Sequence, residues 1–267
     1  MSSLVLVTGG TGTLGRLVTP LLREAGYPVR VLSRHGAGAD HGVEHVTGDG
    51  VDHVIGDLFT GAGVEAAVQG AEIVLHLAGG PKGDDEATRN LIRAAQRGGD
   101  VRHLVYISVI GADRVPLAWL RSKLGAEQAI AGSGLPWTTL RAAQFHDLVL
   151  TMVQKMAKLP VVPVPGGLRL QPVDARDVAA RLVDLALGDP AGRVPDLAGP
   201  KIYGMAELVR SYLQACGKRR LLMPVRLPGR AGRAYRAGDN LTLNGATTGT
   251  RTWEQFVAER LALTPRS

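Results

Sequence analysis

The stretch that decides the fold is L-V-L-V-T-G-G-T-G-T-L-G, residues 4–15, which runs directly into an apolar helical pattern. Its apolar residues and threonine predict a buried parallel strand. Gly9, Gly12 and Gly15 then predict a sharp turn and a close approach of the backbone to a phosphate at a helix N-terminus. Gly10, Gly12 and Gly15 also satisfy G-x-G-x-x-G, so two spacings overlap. A strand, a turn and a helix in this order indicate a dinucleotide-binding loop, for which the candidate contacts are Gly9, Thr11, Gly12, Thr13, Leu14 and Gly15.

The second predicted strand, Val29–Ser33, ends in a hydroxyl and a cation, Ser33 and Arg34. A site that prefers NAD usually has an acidic residue here, about 20 residues after the loop, to bind the ribose 2′-hydroxyl. A guanidinium can instead bind a 2′-phosphate with charge-assisted hydrogen bonds. These residues favour NADP(H) as the cofactor. The alternative is that Arg34 is only a solvated loop residue.

Composition excludes several classes of protein. The 267 residues are enough for one large core or a core with a small lobe, and no apolar run approaches the roughly 18 residues of a membrane span. The first residues lack the pattern of a secretory signal, and the single cysteine, Cys216, allows no internal disulfide. We expect a cytoplasmic protein without membrane contact, with Cys216 buried in a helix.

The formal charge of +7 raises the possibility of a nucleic-acid partner. The densest cationic stretch, residues 218–236, has no acidic residue and one aromatic residue. It has no recognisable pattern of a helix that would contact nucleic-acid bases. We interpret it as a solvated face that attracts an anionic cofactor and expect no specific nucleic-acid binding.

Strand and helix patterns alternate up to about residue 140, which is typical of a parallel sheet covered on both faces. The fold class is therefore predicted as α/β, a doubly wound parallel sheet (Rossmann) with a small C-terminal substrate lobe. We expect a single domain, with residues 1–145 as the dinucleotide-binding core and residues 146–267 as mixed core and lobe. Predicted strands are Val5–Thr8, Val29–Ser33, Glu72–Leu77, His103–Ser108 and Trp137–Leu140; predicted helices are Thr13–Ala25, Gly63–Val68, Asp85–Gln96, Leu117–Ala131, Asp174–Leu187, Met205–Ala215 and Trp253–Leu261.

Three local features refine this outline. V-E-H-V-T-G-D at residues 43–49 nearly repeats as V-D-H-V-I-G-D at residues 51–57, and the more apolar second copy is expected to form the third strand. The proline-rich segment at residues 160–167 is expected to break the alternation. Asp174 is the expected N-cap of the helix that follows.

Several ordered motifs resemble the NmrA-like NAD(P)-binding group of atypical short-chain dehydrogenases/reductases. Besides the glycine loop they are G-D-L at 56–58, H-L-A-G-G at 76–80, Y-I-S-V-I-G-A at 106–112, S-K-L-G-A-E at 122–127, G-L-P-W-T-T-L-R-A-A-Q-F-H-D at 134–147 and P-V-D-A-R-D-V-A at 172–179. The resemblance implies that Asp57 and Leu58 flank an adenine. It also implies that Ala78, Gly79 and Gly80 line the cofactor, that Lys123 holds the nicotinamide ribose, and that the backbone from Ala143 to Phe145 passes near the nicotinamide.

The chain departs from this family at its proton donor. The classical family has a tyrosine four residues before the lysine, whereas Trp119 stands here, and an indole N–H is not an acid near neutral pH. The serine position is occupied by Val109 or Ile110. We therefore predict Lys123 and His146 as catalytic candidates and Ile110, Trp119, Gln144 and His146 as substrate contacts, with a structural role for His146 as the alternative. No metal site is predicted.

These observations favour an NADPH-dependent oxidoreductase that acts on a small apolar acceptor of the quinone, enone, imine or azo type. Such acceptors need a dedicated acid less than a ketone does. The alternative is a non-catalytic NADP(H)-binding redox sensor or regulatory protein. The predicted partner is a small-molecule substrate, and the predicted state is a monomer or a homodimer.

Overall fold

The protein is described by a computed structural model that covers residues 3–34, 50–80, 82–242 and 245–263. The chain divides into two compact units. Unit 1 comprises Met1–Ser108, Ala118–Leu140 and Ala179–Val194, and unit 2 comprises Val109–Leu117, Arg141–Val178 and Pro195–Ser267.

The strands in chain order are β1 (Val5–Thr8), β2 (Val29–Ser33), β3 (Val51–Ile55), β4 (Ile73–His76), β5 (His103–Val109), β6 (Trp137–Ala142), β7 (Val161–Gly166), β8 (Arg169–Leu170), β9 (Gly192–Arg193), β10 (Leu197–Ala198), β11 (Tyr203–Gly204), β12 (Leu221–Arg226) and β13 (Thr247–Thr248). The helices are α1 (Gly15–Glu24), α2 (Val64–Val68), α3 (Asp84–Gly98), α4 (Ala118–Ala131), α5 (His146–Met156), α6 (Ala175–Leu187), α7 (Met205–Ala215), α8 (Gly229–Ala237) and α9 (Trp253–Ala262).

Unit 1 contains a sheet with the strand order β6-β5-β4-β1-β2-β3, in which β9 also pairs with β6. Strand β1 pairs in parallel with β2 and β4, β2 with β3, and β4 with β5. The chain order reverses at β1, because β2 lies on one side of it and β4 on the other. This confirms the predicted doubly wound parallel sheet and places its switch point, where ligands bind in open α/β sheets, at the carboxyl end of β1.

Helices cover both faces of this sheet. Leu32 of β2 belongs to a buried apolar cluster that includes residues of α2, α3 and α4. Its neighbour Val31 points to the opposite face and touches Gly10, against which the first residue of α1 packs. The alternation of side chains along a strand therefore explains how one strand buries both of its faces.

The predicted elements are confirmed, with ends that shift by a few residues. The second copy of the near-repeat forms β3, as predicted, and the first copy lies outside the described residues. Asp174 caps α6 as predicted, since its Oδ1 accepts a hydrogen bond of 2.9 Å from the backbone N–H of Arg176.

Unit 2 has its own apolar core, formed chiefly by α5, α7, α9 and the two-stranded sheet of β7 and β12. Residues 160–167 contain β7, a strand that was not predicted and that pairs with β12 outside the main sheet. Val162 and Val164 are buried at alternate positions, and proline is compatible with a strand whose edge is exposed. The prediction for Cys216 is wrong, since it follows the last residue of α7 and is half-buried.

Along the described residues, no helix is both long and apolar enough to span a bilayer. How the predicted split at about residue 145 relates to cofactor and substrate binding stays a prediction.

Candidate functional site

The glycine-rich loop turns directly after β1. Gly9 has φ of +72°, and a Cβ on it would lie 2.8 Å from the backbone of Ala78, so both the turn and the neighbouring loop require glycine here. A Cβ on Gly15 would lie 2.3 Å from Gly10, which explains the third glycine by close packing of helix against loop. A Cβ on Gly12 would meet only the Gly9 carbonyl oxygen, at 3.2 Å, so Gly12 faces open space.

That open space is a groove of about 520 Å³ in unit 1. It lies along the carboxyl ends of β1, β2, β3 and β4 and is lined by the turns that follow these four strands. Ten of the predicted cofactor contacts line it: Gly9, Thr11, Gly12, Ser33, Arg34, Asp57, Leu58, Ala78, Gly79 and Gly80. Three further predicted contacts, Thr13, Leu14 and Gly15, continue from the loop into α1, and Leu14 and Gly15 are buried.

The groove has cationic and apolar features that suit an anionic dinucleotide. Arg34 and Lys82 both line it and are exposed. Phe59 is 54% exposed, and its ring lies so close to Gly83 that a Cβ there would be 2.6 Å from Cε2 of Phe59. Asp57 Oδ1 accepts a hydrogen bond of 2.8 Å from the Phe59 N–H, which fixes the turn that presents the ring.

Lys123 forms a buried ion pair beside the groove. Its Nζ lies 3.0 Å from Oδ2 of Asp84, the first residue of α3, and its side chain also lies over the Tyr106 ring. Asp84 Oδ1 accepts a hydrogen bond of 2.7 Å from the N–H of Gly80. One carboxylate therefore joins Lys123 to the turn that follows β4.

Beneath this pair, Tyr106 and His76 stack with ring centroids 5.2 Å apart. Burial raises the pKa of Tyr106 well above its ordinary value, and the neighbouring carboxylates raise it further. Burial and, to a lesser extent, the charge of Lys123 lower the pKa of His76 to about 3. Both groups are therefore neutral at physiological pH, and neither is placed to exchange a proton with solvent.

In unit 1, Trp119 stands at the position of the family's tyrosine, and Ser108 is the hydroxyl group nearest to the position of the family's serine. Trp119 lies in the first turn of α4 and is partly exposed. The Ser108 hydroxyl is buried and donates a hydrogen bond to a carboxylate oxygen of Glu127. Since Ser108 is already committed to an acceptor, its hydroxyl is not directed at a ligand in this conformation.

The remaining predicted site residues, Ile110, Gln144, Phe145 and His146, lie in unit 2. Ile110 is buried, and Gln144 and Phe145 are half-buried. His146 is fully buried against Phe256 and Trp253, at ring-centroid distances of 5.0 and 6.0 Å. Burial lowers the pKa of His146, so it is neutral at pH 7. The predicted substrate and catalytic roles of these residues stay predictions, and burial favours the structural alternative for His146.

Sequence reasoning missed four residues of this site: Asp84, Lys82, Phe59 and His76. Asp84 directly precedes the predicted helix Asp85–Gln96, and His76 is the first residue of the H-L-A-G-G motif, but neither position indicated its contacts. The cation that pairs with Asp84 lies 39 positions away in the sequence. Among the described residues, no group of three or more histidine, cysteine or carboxylate side chains is arranged to hold a metal ion.

Residues 9–187, which include the whole groove, match the family described as NAD(P)H-binding. The chain belongs to this family. The match confirms the resemblance to NmrA-like atypical short-chain dehydrogenases/reductases and a nicotinamide dinucleotide cofactor, NAD(P)H, in agreement with the prediction of NADP(H). The residues present fit such a group, since Gly12 opens to the groove and two cations line it.

Individual relatives agree with this assignment. The chain is 31% identical to a (4-alkanoyl-5-oxo-2,5-dihydrofuran-3-yl)methyl phosphate reductase of Streptomyces griseus, over 80% of this chain and 74% of that protein. It is 30% identical to an NAD(P)H azoreductase of Xenophilus azovorans, with the same coverage of both chains. The structure of an NADPH-dependent quinone oxidoreductase from Escherichia coli in complex with NADPH has the same fold, with a TM-score of 0.80, 22% identity, and coverage of 96% of this chain and 99% of that one.

Proposed function

We propose that this protein is an NADPH-dependent oxidoreductase that reduces a small apolar acceptor of the quinone, enone, imine or azo type. The observation on which this proposal chiefly depends is the combination of a cationic, glycine-lined dinucleotide groove with Trp119 at the position of the usual acid. Relatives that are a reductase and an azoreductase support the reaction class.

The groove residues suggest how the cofactor is held. Gly12 and Thr11, in the loop that leads into α1, would lie against the pyrophosphate, because the glycine lets a phosphate approach the backbone closely and a helix N-terminus favours an anion. Leu58 and Phe59 would form an apolar wall for the adenine, with Asp57 beside it. Gly79, Gly80 and Lys123 would face the nicotinamide ribose.

Preference for the phosphorylated cofactor is attributed to Arg34, with Lys82 as a second cation on the same groove. A guanidinium binds a phosphate through two parallel, charge-assisted hydrogen bonds. Its interaction with an uncharged ribose hydroxyl is much weaker. A ten-fold preference for NADPH requires only about 1.4 kcal/mol, which one such contact supplies.

The acceptor class follows from the missing acid. NADPH supplies a hydride when bound, and a ketone that takes it needs a proton donor beside its developing alkoxide. The proposed acceptors, which are quinones, enones, imines and azo compounds, stabilise the negative charge that develops on hydride transfer better than a ketone does. Solvent or the Lys123 ammonium is therefore a sufficient proton donor. His146 is the weaker candidate for this proton, because it is buried and its lowered pKa keeps it neutral.

The proposal is tested by mixing purified protein with NADPH and a panel of quinones, enones, imines and azo dyes while following the loss of reduced nicotinamide. We expect turnover of at least one class and much slower reduction of simple aliphatic ketones. Tight binding of NADPH without turnover of any acceptor would contradict the proposal.

That second outcome would support a different function, a non-catalytic NADP(H) sensor that reports the redox state to a protein partner. The tryptophan in place of the family's acid favours this alternative, since a sensor needs the cofactor groove but no proton donor. Titrations with NADPH and NADP⁺ distinguish the two functions, because a sensor must bind the two forms with different affinity.

A further inference from the structure

Asp84 is a buried carboxylate at the edge of the groove that the proposed reaction does not use. It is 6% exposed and makes two contacts, with the Gly80 N–H and with the Lys123 ammonium. We propose that Asp84 is a positioning residue that holds Lys123 and the turn after β4 together as one cofactor-facing wall. This inference rests on the proposed function, in which Lys123 faces the cofactor.

Burial explains why Lys123 needs this partner. Lys123 is 8% exposed, and a buried ammonium is stable only when an anion and hydrogen bonds compensate for the water that it has lost. The Tyr106 ring, 5.2 Å from Nζ, adds a favourable contact with the cation but no negative charge. The Asp84 carboxylate is therefore the group that fixes where the ammonium lies.

Because the turn after β4 contains glycines, the Lys123 ammonium can lie next to the groove. A Cβ on Gly79 would lie 2.8 Å from Lys123 Nζ, so the ammonium rests directly against the backbone of a residue that lines the groove. The contact between Gly80 and Asp84 holds the same turn from the other side. A side chain at position 79 would displace the ammonium even though the carboxylate remained.

A chain of hydrogen bonds anchors Asp84 to the glycine-rich loop. The Thr88 hydroxyl donates to the Asp84 carbonyl at 2.6 Å and lies 3.0 Å from His76 Nε2. His76 Nδ1 lies 2.7 Å from the Thr8 hydroxyl, which accepts the N–H of Ala78. Neutral His76 with its proton on Nε2 satisfies every link. The end of β1, the turn after β4 and the start of α3 are thus coupled below the cofactor groove.

The first experiment measures how fast Lys123 reacts with an amine reagent, by mass spectrometry of the protein without cofactor. In the unmutated chain Lys123 should react far more slowly than Lys201, which is half-exposed. Asp84→Asn keeps the shape and removes the charge, so Lys123 should react at least ten-fold faster while Lys201 is unchanged. Asp85→Asn is the matched control, because its carboxylate contacts Arg89 and Ser122 instead.

The second experiment measures NADPH affinity by fluorescence titration in a double-mutant cycle. Asp84→Asn and Lys123→Met should each raise the dissociation constant about ten-fold or more, and the double variant should resemble Lys123→Met alone, because Asp84 acts through Lys123. Gly79→Ala should raise both the labelling rate and the dissociation constant, which keeps the test open if Asp84→Asn folds poorly.

The outcomes separate the two proposals. Slow labelling of Lys123 in Asp84→Asn, or strictly additive effects in the cycle, would overturn the positioning role. Failure of the unmutated protein to bind NADPH would instead refute the cofactor site on which the inference rests. Full affinity in Lys123→Met would show that Lys123 does not face the cofactor, and in either case the positioning role would fall with it.

Discussion

Trp119 and Lys123 stand four residues apart in α4, so the indole and the ammonium project from one face of the helix, a single turn apart. A tyrosine at the first position would present a phenol whose acidity the nearby ammonium increases. The tryptophan presents a large apolar surface and one N–H donor in its place. Under the proposed function, the tryptophan would restrict the protein to acceptors that need no positioned acid.

Replacement of Trp119 tests that interpretation. If the indole only packs against the acceptor, Trp119→Phe should keep the reduction of a quinone or enone within a few-fold. Trp119→Tyr should gain measurable reduction of a simple ketone. Steady-state kinetics with a quinone and an aliphatic ketone measure both, and brisk ketone reduction by the unmutated protein would show that the acid lies elsewhere.

Arg34 should determine the choice between NADPH and NADH. The unmutated protein is expected to bind NADPH at least ten-fold more tightly, and Arg34→Asp should remove most of that preference by repelling the 2′-phosphate. Arg102→Asp is the matched control. It changes the net charge by the same amount, but Arg102 precedes β5 and so lies at the edge of the sheet opposite to the groove. Equal affinities for the two cofactors before mutation would refute the role of Arg34.

Gly12 should tolerate no side chain when the cofactor binds. Gly12→Val is expected to abolish NADPH binding, measured by titration, while the melting temperature stays within a few degrees, because a Cβ meets little else at this position. Gly98→Ala, where a Cβ would make only an ordinary contact with Val68, is the control. Retained binding in Gly12→Val would place the phosphates elsewhere.

His76 should make the protein sensitive to acid. Its pKa in the folded state, about 3, is lower than that of a histidine in the unfolded chain, about 6.5. The unfolded state therefore takes up protons first, and stability is complete above pH 6.5 and declines as the pH falls from 6.5 towards 3. The loss attributable to His76 at pH 5 is about 2 kcal/mol.

The measurement is denaturant unfolding at pH 8 and pH 5. His76→Gln should show a smaller decline in the free energy of unfolding than the unmutated protein. An identical decline in His76→Gln would show that His76 does not titrate as assigned.

The basic stretch at residues 218–236 should bind nucleic acid weakly and without sequence preference. Its cations lie on β12, α8 and their flanks, and counterion release is the driving force available to them. Binding measured by fluorescence anisotropy should fade steeply with added salt. Selective binding that persists at physiological salt would contradict this and favour a regulatory function.

The sequence predicted the sheet of unit 1 well because each strand and turn there obeys a local rule. The run from Leu4 to Gly15 specifies strand, turn and helix within twelve residues, and the ends of β2 and β3 follow from short apolar runs. Five of the ten groove residues, Gly9, Thr11, Gly12, Ser33 and Arg34, were predicted from the glycine loop and the end of β2, whereas Asp57, Leu58, Ala78, Gly79 and Gly80 were implied by the family resemblance.

The missed features depend on contacts between distant segments. The pairing of Asp84 with Lys123 and the hydrogen bonds of His76 require α3, α4 and three strands to be in place, and no local pattern encodes them. Strand β7 was missed because its prolines suggested a break, whereas the alternation of Val162 and Val164 was the relevant signal. A turn can be predicted from adjacent residues, whereas the partner of a buried charge cannot, because it lies far away in the sequence.

The most direct test of hydride transfer from this groove uses NADPH carrying deuterium at C4 of the nicotinamide, with an enone as acceptor. Mass spectrometry of the product should show deuterium bound to carbon when the unmutated protein is present, and no transfer with Gly12→Val. A protein that binds NADPH tightly, yet leaves the deuterium on the cofactor with every acceptor of the panel, would contradict the assignment as a reductase.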